Sequence, residues 1–443
     1  MPGPKLTHFE PDLALPKKVD TVVIGGGIVG VSTALELAER GVSVLLCEKG
    51  QIGAEQSSRN WGWVRISRRD PRELPLMIEA TNIWQGLDQR LGRKTGYRRT
   101  GIMFTAQTDK YADWLQRWSQ NLAPHQIESR MVSGAELDKL MPGHQLKVKS
   151  ALYTPMDGRA EPQWAAPAIA EGARDAGAAV LTNCAVRSLD VQAGKLAGVI
   201  TERGRVACSS VVVAGGAWSR LFLGNAGVYL PQLKVLNTVM RSSVVDGGPE
   251  ASVWDDGFSL RKRADGGYTV AGGTENVVDL VPDSLRLGLR FLPAYLDEWR
   301  SLRFRLSGRW KQEASEARRW GTGEITPFEN CRVLDPSPSQ RALKASWAAA
   351  QKAFPVLQKA DVVQSWGGLI DVTPDALPVI SMVDDIAGLF ISTGYSGHGF
   401  GIAPGAGRLM ADMVLGTAPI VDPHDFRLSR FTDGSRVRPI SGA

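Results

Sequence analysis

The stretch VDTVVIGGGIVGVSTALELAERGVSVLLCE, residues 19–48, decides the fold of this chain. A short apolar run leads directly into Gly25-x-Gly27-x-x-Gly30, a helical pattern follows, and a second apolar run ends in Glu48. The first glycine permits a tight turn, the second lets the backbone approach a pyrophosphate, and the third lets helix and strand pack closely. Free N–H groups at the helix N-terminus attract phosphates, and Glu48 is placed to accept hydrogen bonds from a ribose. The stretch therefore predicts a Rossmann-type unit for an adenine dinucleotide, and the acid disfavours a 2′-phosphate.

The composition excludes several classes of protein. The 443 residues are 43% hydrophobic and 22% charged, as in a globular protein with room for two domains. The formal net charge of +6 is modest, and the absence of a dense Lys/Arg tract argues against nucleic-acid binding. The four cysteines are far apart and only five histidines occur, so we expect neither a metal site nor a disulfide framework. The proline-containing N-terminus and the absence of a membrane-length apolar run predict a cytoplasmic protein without a transmembrane segment.

Two later stretches repeat the pattern of a strand that ends in a glycine turn. One is SSVVVAGGAW at residues 209–218, and the other is LFISTG at residues 389–394. The second continues through YSGHGFG into an expected helix over Pro404–Leu415. Three such turns most simply belong to one nucleotide-binding domain, interrupted by insertions that build a second domain.

A Leu- and Arg-rich stretch at residues 281–311 admits two interpretations. Its leucines at positions 285, 289, 292 and 296 fall on one helical stripe, interrupted by Pro293. A basic amphipathic helix of this kind can rest on an anionic membrane surface. More often the apolar stripe faces the core and the basic face is solvated, which is the interpretation that we favour from sequence.

Longer motifs resemble one superfamily of flavoenzymes, the D-amino-acid oxidase and sarcosine oxidase (DAO) superfamily. The motifs are VVIGGGIVG at residues 22–30, VVVAGGAWS at 211–219, GGLIDVTPDALPVIS at 367–381 and STGYSGHGFGIAPGAGRLMADMVLG at 392–416. They occur in the family's order over nearly the whole chain. The resemblance implies an α/β fold, with a Rossmann-type FAD-binding domain and a second, mainly antiparallel β-sheet substrate domain. The expected FAD-binding domain is discontinuous, over residues 19–90, 151–224 and 362–430. The expected substrate-binding domain covers residues 91–150 and 225–361, and residues 1–18 and 431–443 are terminal segments.

The resemblance also implies which residues hold the cofactor. The expected FAD contacts are Gly25, Gly27, Ile28, Val29, Gly30, Glu48, Lys49, Ser57, Ser58, Arg59, Asn60, Trp61, Val186, Ala214, Gly215, Trp218, Gly394, Gly397, His398, Gly399, Phe400 and Gly401. The helix after Gly401 is expected to aim its N-terminus at the pyrimidine edge of the flavin, where reduction leaves negative charge. Members with covalent flavin carry a cysteine where this chain has Gly368, so noncovalent FAD is expected.

Members of this superfamily oxidise an amine by hydride transfer to flavin N5, and the resulting imine is hydrolysed. Such chemistry needs a clamp for the substrate and little covalent participation by side chains. The candidate catalytic residues are Arg65, His398, Tyr395 and Trp366. Arg65 follows Trp61–Trp63 and is our first choice to contact a carboxylate, although a surface arginine fits the pattern equally well. The basic run at residues 261–263 is expected to be a solvated hairpin end.

Two departures from the family pattern leave the electron acceptor open. Gly401 stands where related oxidases have a carboxylate-binding lysine, and Thr269 stands where they have a lysine that activates oxygen. The expected partners are therefore a small amino acid or amine and either O2 or another electron acceptor. Peripheral membrane contact, homo-oligomerisation and the handedness of the substrate also stay open. Two alternatives remain, a flavin-containing electron-transfer subunit of a larger amine dehydrogenase and an NAD-dependent dehydrogenase.

Overall fold

A computed structural model describes residues 3–272, 276–299 and 301–440 of the chain. The helices in chain order are α1 (Ile28–Ala38), α2 (Gln56–Arg59), α3 (Leu74–Leu91), α4 (Asp109–Ser119), α5 (Gly134–Leu140), α6 (Pro162–Asp175), α7 (Ser219–Asn225), α8 (Pro282–Glu298), α9 (Gly308–Ser315), α10 (Pro327–Asn330), α11 (Gln340–Ala353) and α12 (Gly399–Leu415). The strands in chain order are β1 (Thr21–Ile24), β2 (Val44–Cys47), β3 (Trp63–Val64), β4 (Arg98–Arg99), β5 (Ile102–Ala106), β6 (Arg130–Val132), β7 (Ser150–Thr154), β8 (Gly158–Arg159), β9 (Ala179–Leu181), β10 (Val186–Gln192), β11 (Lys195–Thr201), β12 (Gly204–Ala207), β13 (Ser210–Val213), β14 (Leu233–Ser242), β15 (Ser252–Asp255), β16 (Phe258–Lys262), β17 (Tyr268–Ala271), β18 (Asn276–Leu280), β19 (Leu302–Leu306), β20 (Val362–Val372), β21 (Val379–Met382) and β22 (Leu389–Thr393).

The three strand-to-glycine stretches form adjacent strands of one sheet, which we call the nucleotide sheet. Within the described ranges its order is β21-β22-β13-β1-β2-β9, and β22, β13, β1, β2 and β9 run parallel. Val23 and Leu46 are fully buried on the face that helices α1, α6 and α12 cover. Val22 and Leu45 are fully buried on the opposite face, in a cluster with residues of the three-stranded sheet β10-β11-β12. Since parallel strands end at the same edge, the glycine turns after β1, β13 and β22 converge there.

A second, larger sheet is mainly antiparallel, as expected. Over the described residues it is ten-stranded, in the order β19-β18-β14-β17-β16-β15-β5-β7-β6, with β20 paired along β14. The exceptions are the parallel pairs β15–β5 and β18–β19. The predicted α/β fold with a second, mainly antiparallel sheet is therefore confirmed.

Strand β20 connects the large sheet with the nucleotide sheet. It pairs with β14 from Val362 onward, although the expected boundary assigned residues 362–430 to the FAD-binding domain. At its far end Asp371 accepts a hydrogen bond from the Gly394 N–H, just after β22. The domain boundaries stay a prediction, and the expected terminal segments include residues 1–2 and 441–443, which lie outside the described residues.

Two helices differ from the sequence expectations. α12 begins at Gly399 rather than Pro404, so Pro404 lies inside the helix, where it leaves the Phe400 carbonyl without its intrahelical N–H donor. The core-facing interpretation of the leucine stripe in α8 is wrong, since Leu285, Leu289, Leu292 and Leu296 are all exposed. In the described part of the chain, no helix has the length and apolarity to cross a membrane.

Candidate active site

A cleft lies at the glycine edge of the nucleotide sheet, and its first part is built around the fingerprint. Gly25 has φ +112°, and a Cβ added there would lie 2.4 Å from the Ala214 carbonyl oxygen. Gly27 is the N-cap of α1 and has no side chain of its own to cap that helix end. The Ile28 N–H donates to Ser57 Oγ at 2.8 Å. The close backbone and the open helix N-terminus form a cradle suited to a pyrophosphate.

Glu48 lines the part of the cleft next to the fingerprint, which we call the nucleotide end. Its two carboxylate oxygens accept the N–H groups of Gly26 and Gly50, each at 2.7 Å. Burial raises the pKa of Glu48 more than Lys49 and these hydrogen bonds lower it. A carboxylate has about four acceptor positions, so capacity remains for ribose hydroxyls.

Lys49 is tied to protein acceptors rather than directed to a phosphate. Its ammonium donates to Glu55 Oε1 at 2.7 Å and to the carbonyls of Cys331 and Arg332 at 2.8 and 3.0 Å, which uses all three donors. It also lies 4.6 Å from the ring centroid of Trp218. Lys49 therefore holds a distant loop against the nucleotide end of the cleft, a contact that the sequence pattern does not reveal.

The second part of the cleft is a wider space between the nucleotide sheet and the large sheet. Its volume, including the open mouth, is about 1980 Å³. The first turn of α1, the aromatic rings of Trp61 and Trp63 and the start of α12 line it. His398 is the N-cap of α12, and this helix end also has no side-chain cap among the described residues. Its N–H groups are suited to stabilise negative charge in the cleft.

Arg65, His398 and Glu73 form a chain of contacts at the wall of the cleft. Arg65 Nη2 lies 3.0 Å from His398 Nε2, and His398 Nδ1 lies 3.3 Å from Glu73 Oε2. Because arginine can only donate, Nε2 accepts, and the ring proton is on Nδ1 and is donated to Glu73. The geometry thus assigns His398 as a neutral imidazole that orients Arg65.

The charge states of Arg65, His398 and Glu73 are set by burial and by the interactions among these and neighbouring side chains. Burial lowers the pKa of His398 to about 4, against the opposing effect of Glu73. Burial and the nearby Arg69 and Arg68 lower the pKa of Arg65 to about 9, so it remains a cation at neutral pH. Burial alone would raise the pKa of Glu73, but Arg69 and His398 outweigh it and hold that pKa below its ordinary value. At neutral pH the site therefore combines a cation, a neutral histidine and a carboxylate.

A buried carboxylate, Asp157, supports the segment that carries Arg65. It accepts the Ile66 N–H at 2.6 Å and the hydroxyl of Ser67. Burial raises its pKa to about 6, although these hydrogen bonds and Arg65 act in the opposite direction. The next arginine, Arg68, lies 4.9 Å from the ring centroid of Phe104 and 4.8 Å from that of Trp254. These contacts fix the backbone from which Arg65 reaches the cleft.

The structure brings most of the expected site residues to the cleft. Those that line it are Gly25, Gly27, Ile28, Val29, Glu48, Lys49, Ser57, Arg59, Asn60, Trp61, Arg65, Val186, Ala214, Gly215, Trp218, Tyr395, Gly397, His398, Gly399, Phe400 and Gly401. Those that lie behind its lining are Gly30, Ser58, Trp366 and Gly394. Trp366 is 1% exposed and donates its indole N–H to the Arg59 carbonyl at 3.1 Å, so it supports the wall without facing the cleft. Tyr395 faces it, with its hydroxyl 2.7 Å from Ser392 Oγ.

Several residues of the site were missed from sequence. Glu73 lies in none of the quoted motifs. Its spacing of four residues from Arg69, with which it pairs at 3.5 Å, is the local sequence feature that could have indicated it. Asp371 lies inside the quoted motif at 367–381, and it accepts Gln232 Nε2 at 2.9 Å as well as the Gly394 N–H. Its role is to join the end of β20 to the glycine turn after β22.

The basic run at residues 261–263 does not reach the cleft. The expected solvated hairpin end is wrong for Arg261, which is buried and donates to Glu161 at 2.8 and 3.3 Å. Arg261 also donates to Thr269 Oγ1 at 3.0 Å. Burial by itself raises the pKa of Glu161, but Arg261 outweighs it and lowers that pKa. This pair is therefore a buried structural contact between α6 and the large sheet.

Comparisons with known proteins agree with this architecture. A family model described as FAD dependent oxidoreductase (DAO) matches residues 20–413. The 4-methylaminobutanoate oxidase (formaldehyde-forming) of Paenarthrobacter nicotinovorans is 27% identical over 94% of this chain and 46% of its own length. The sarcosine oxidase subunit beta of Rhodobacter capsulatus is 23% identical over 95% and 90% of the two chains. The structure of L-amino acid deaminase from Proteus myxofaciens is 33% identical, covers 97% and 96% of the two chains and superposes with a TM-score of 0.93. The chain thus spans about half the length of the first relative and nearly all of the other two.

Proposed function

The chain belongs to the DAO family of FAD-dependent oxidoreductases, and on that premise we propose that it oxidises the amine of an amino acid or of a secondary amine. The imine product would be hydrolysed to a keto acid or aldehyde with release of ammonia or an amine. Support comes from relatives that are named as an L-amino acid deaminase, a sarcosine oxidase subunit and an amine oxidase. These relatives do not favour the alternatives of an electron-transfer subunit or an NAD-dependent dehydrogenase.

The residues present fit FAD. The cradle at Gly25 and Gly27 suits a pyrophosphate, since a Cβ at Gly25 would collide with the backbone and one at Gly27 would crowd Ser57 Oγ at 3.2 Å. Glu48 suits the adenosine ribose. When bound, FAD supplies the acceptor for the hydride that leaves the substrate carbon. We propose that it is held noncovalently, because Gly368 in the cleft wall offers no nucleophile. Acid precipitation would then release all of the flavin into the supernatant.

The observation that carries the proposal is the position of Arg65 in the wall of the cleft. Three of its N–H donors go to the carbonyls of Ser67 and Arg68 and to His398, at 2.5, 2.9 and 3.0 Å. Among the described residues nothing accepts from its Nε or from the second hydrogen of Nη2. A cation with two donors left at a cleft wall suits a carboxylate, which favours an amino acid over a simple amine.

His398 acts on the substrate through Arg65. Its Nε2 lone pair is occupied by Arg65 and its pKa lies far below neutrality, so it neither gives nor takes a substrate proton at pH 7. The aromatic wall of Trp61 and Trp63, with ring centroids 5.2 Å apart, suits an apolar portion of the substrate and limits water. His398 is therefore a positioning residue in this proposal.

The electron acceptor is proposed to be a molecule other than O2. Thr269, which stands where related oxidases have a lysine, is buried, and its hydroxyl is bonded to Arg261. The charge of Arg261 is in turn balanced by Glu161. Arg263 Nη1, which lies 3.4 Å from the same hydroxyl, belongs to a side chain paired with Asp265. The two arginines described at this position are thus each balanced by a carboxylate, which suits them less than a free lysine to stabilise reduced oxygen.

The test is an anaerobic absorbance scan of the purified, FAD-loaded protein with both enantiomers of each amino acid and with N-methyl amino acids. The flavin absorbance should bleach with one of these groups and stay unchanged with the matching 2-hydroxy acids, which lack the amine. Slow return of colour in air and fast return with an artificial dye would support the acceptor proposal. A flavin that no amine bleaches, or that 2-hydroxy acids bleach equally, would refute the function.

A further inference from the structure

Helix α8 presents an apolar stripe to solvent instead of to the protein. Leu285, Leu289, Leu292 and Leu296 are 75%, 89%, 45% and 62% exposed, whereas Leu287 is 2% exposed. At 100° per residue, Leu287 projects roughly 160° or more from the centre of the leucine stripe. Among the described residues, the helix therefore buries the face that carries Leu287 and leaves its most apolar face uncovered.

Aromatic side chains extend this surface onto strand β19. Tyr295 and Phe304 are 40% and 47% exposed, and their ring centroids are 5.6 Å apart. Trp299 at the end of the helix is also exposed. Rings of this kind are enriched where protein meets the interfacial region of a bilayer. The leucine stripe with Tyr295, Trp299 and Phe304 is called the α8 face below.

The charge around the α8 face is positive. The 31 residues from Val281 to Lys311 contain six arginines and one lysine against three acids. Arg286 and Arg290 are exposed and project roughly 90° and 130° from the centre of the leucine stripe. Arg286 also pairs with Asp283 at 3.1 Å, and Arg305 and Arg309 pair with Asp279. Long arginine side chains in that position can reach lipid phosphates while the leucines enter the acyl region.

We propose that the α8 face docks the protein on an anionic lipid surface. The combination of exposed leucines, interfacial aromatic rings and flanking arginines matches the chemistry of such a surface. A second copy of the chain fits less well, because a two-fold contact through the stripe would bring the arginines of both copies together.

Docking would also orient the cleft. Asn276, the first residue of β18, and Ser301, which lies between α8 and β19, both line the cleft. The helix that carries the α8 face is connected to the cleft wall at both ends, through only a few residues. A protein bound through this face therefore has one wall of its cleft close to the lipid.

The test is flotation of the FAD-loaded full-length protein with vesicles of phosphatidylcholine, with and without phosphatidylglycerol. The protein should bind the anionic vesicles at low salt, bind less at high salt, and bind neutral vesicles weakly. The double variant Leu289→Asp/Leu296→Asp should lower the partition constant on the order of tenfold or more. Arg286→Gln/Arg290→Gln should lower it by about fivefold per arginine on anionic vesicles only.

The matched control is Leu13→Asp/Ile325→Asp, at residues that are 86% and 68% exposed elsewhere on the surface. It adds the same charge at similar exposure and should bind vesicles like the wild-type protein. Turnover and flavin content should stay unchanged in all three double variants. The proposal is overturned if the wild-type protein floats with neither vesicle, or if the control loses as much binding as the leucine variant. A wild-type dimer that the leucine variant converts to a monomer, without vesicle binding, would also overturn it and assign the face to self-association.

Discussion

Replacing Arg65 by alanine tests the proposed carboxylate contact directly. The substitution removes the two N–H donors that remain after its hydrogen bonds to Ser67, Arg68 and His398. A hydrogen bond to a charged group contributes about 1.5–3 kcal/mol. Water that enters the vacated space replaces part of this hydrogen bonding. We therefore expect the free energy of substrate binding to weaken by about 3 kcal/mol when both donors are removed. At 1.4 kcal/mol per decade, substrate binding should weaken on the order of a hundredfold.

The assay compares substrates and ligands that differ only in the carboxylate. KM for the amino acid, and Kd for a carboxylate ligand measured from its perturbation of the flavin spectrum, should both rise about a hundredfold in Arg65→Ala. Arg65→Lys restores the charge but not the planar fork, so it should recover about half of the lost binding energy. For the corresponding amine, which lacks the carboxylate, Arg65→Ala and the wild-type protein should have nearly the same kcat/KM.

The controls separate this effect from damage to the fold. Flavin content should be unchanged, because the described hydrogen bonds of Arg65 go to Ser67, Arg68 and His398 and not to the nucleotide end of the cleft. Arg90→Ala removes an arginine that pairs with Glu36 and Glu39 away from the cleft, and it should leave KM unaltered. An Arg65→Ala protein with bound FAD and wild-type KM for the amino acid would show that Arg65 does not hold the carboxylate.

Three further predictions concern residues around Arg65 and the cradle. Glu73→Gln removes the carboxylate that pairs with the buried Arg69, so the free energy of unfolding measured in urea should fall by about 3 kcal/mol. KM should rise with little change in kcat, because the variant also loses the partner that orients His398, and a lower kcat at constant KM would contradict the positioning role of His398. Asp157 has a folded pKa of about 6, above its unfolded value, so the folded protein binds this proton more tightly and becomes more stable as pH falls from 7 to 5. In Asp157→Asn this part of the pH dependence, about 1.3 kcal/mol between pH 7 and pH 5, should vanish, and an unaltered difference between the two pH values would reject the prediction. Gly25→Ala places a Cβ 2.4 Å from a carbonyl oxygen at φ +112°, so FAD should be absent after purification, and full flavin occupancy would contradict the cradle.

The nucleotide sheet could be predicted from sequence because its signals are local. Gly25, Gly27 and Glu48 act through turn geometry and short-range spacing, and the resulting strand, helix and strand lie where the pattern put them. Arg65 and His398 could each be named as candidates from the motifs around them. Their contact could not, because 333 positions separate them and only the packing of α12 brings them together.

The errors have equally physical causes. The leucine periodicity of α8 shows that one face is apolar, but it carries no information on whether another element covers that face. Trp366 directly precedes the motif at residues 367–381, but its position on β20 places the ring in the interior. The sequence around Arg261 predicts a basic hairpin end, because Glu161, the carboxylate that pairs with it, lies 100 positions away in the sequence.

Strand β20 has a mechanical consequence for the cleft. It is hydrogen-bonded along β14 in the large sheet, and near its end Asp371 accepts a hydrogen bond from the Gly394 N–H, just after β22 of the nucleotide sheet. The ladder between β14 and β20 belongs to the large sheet alone, so moving the two sheets apart would leave it intact and would break the hydrogen bond between the Gly394 N–H and Asp371. The opening of the cleft is therefore linked to the hydrogen bonding of one buried carboxylate at the end of β20.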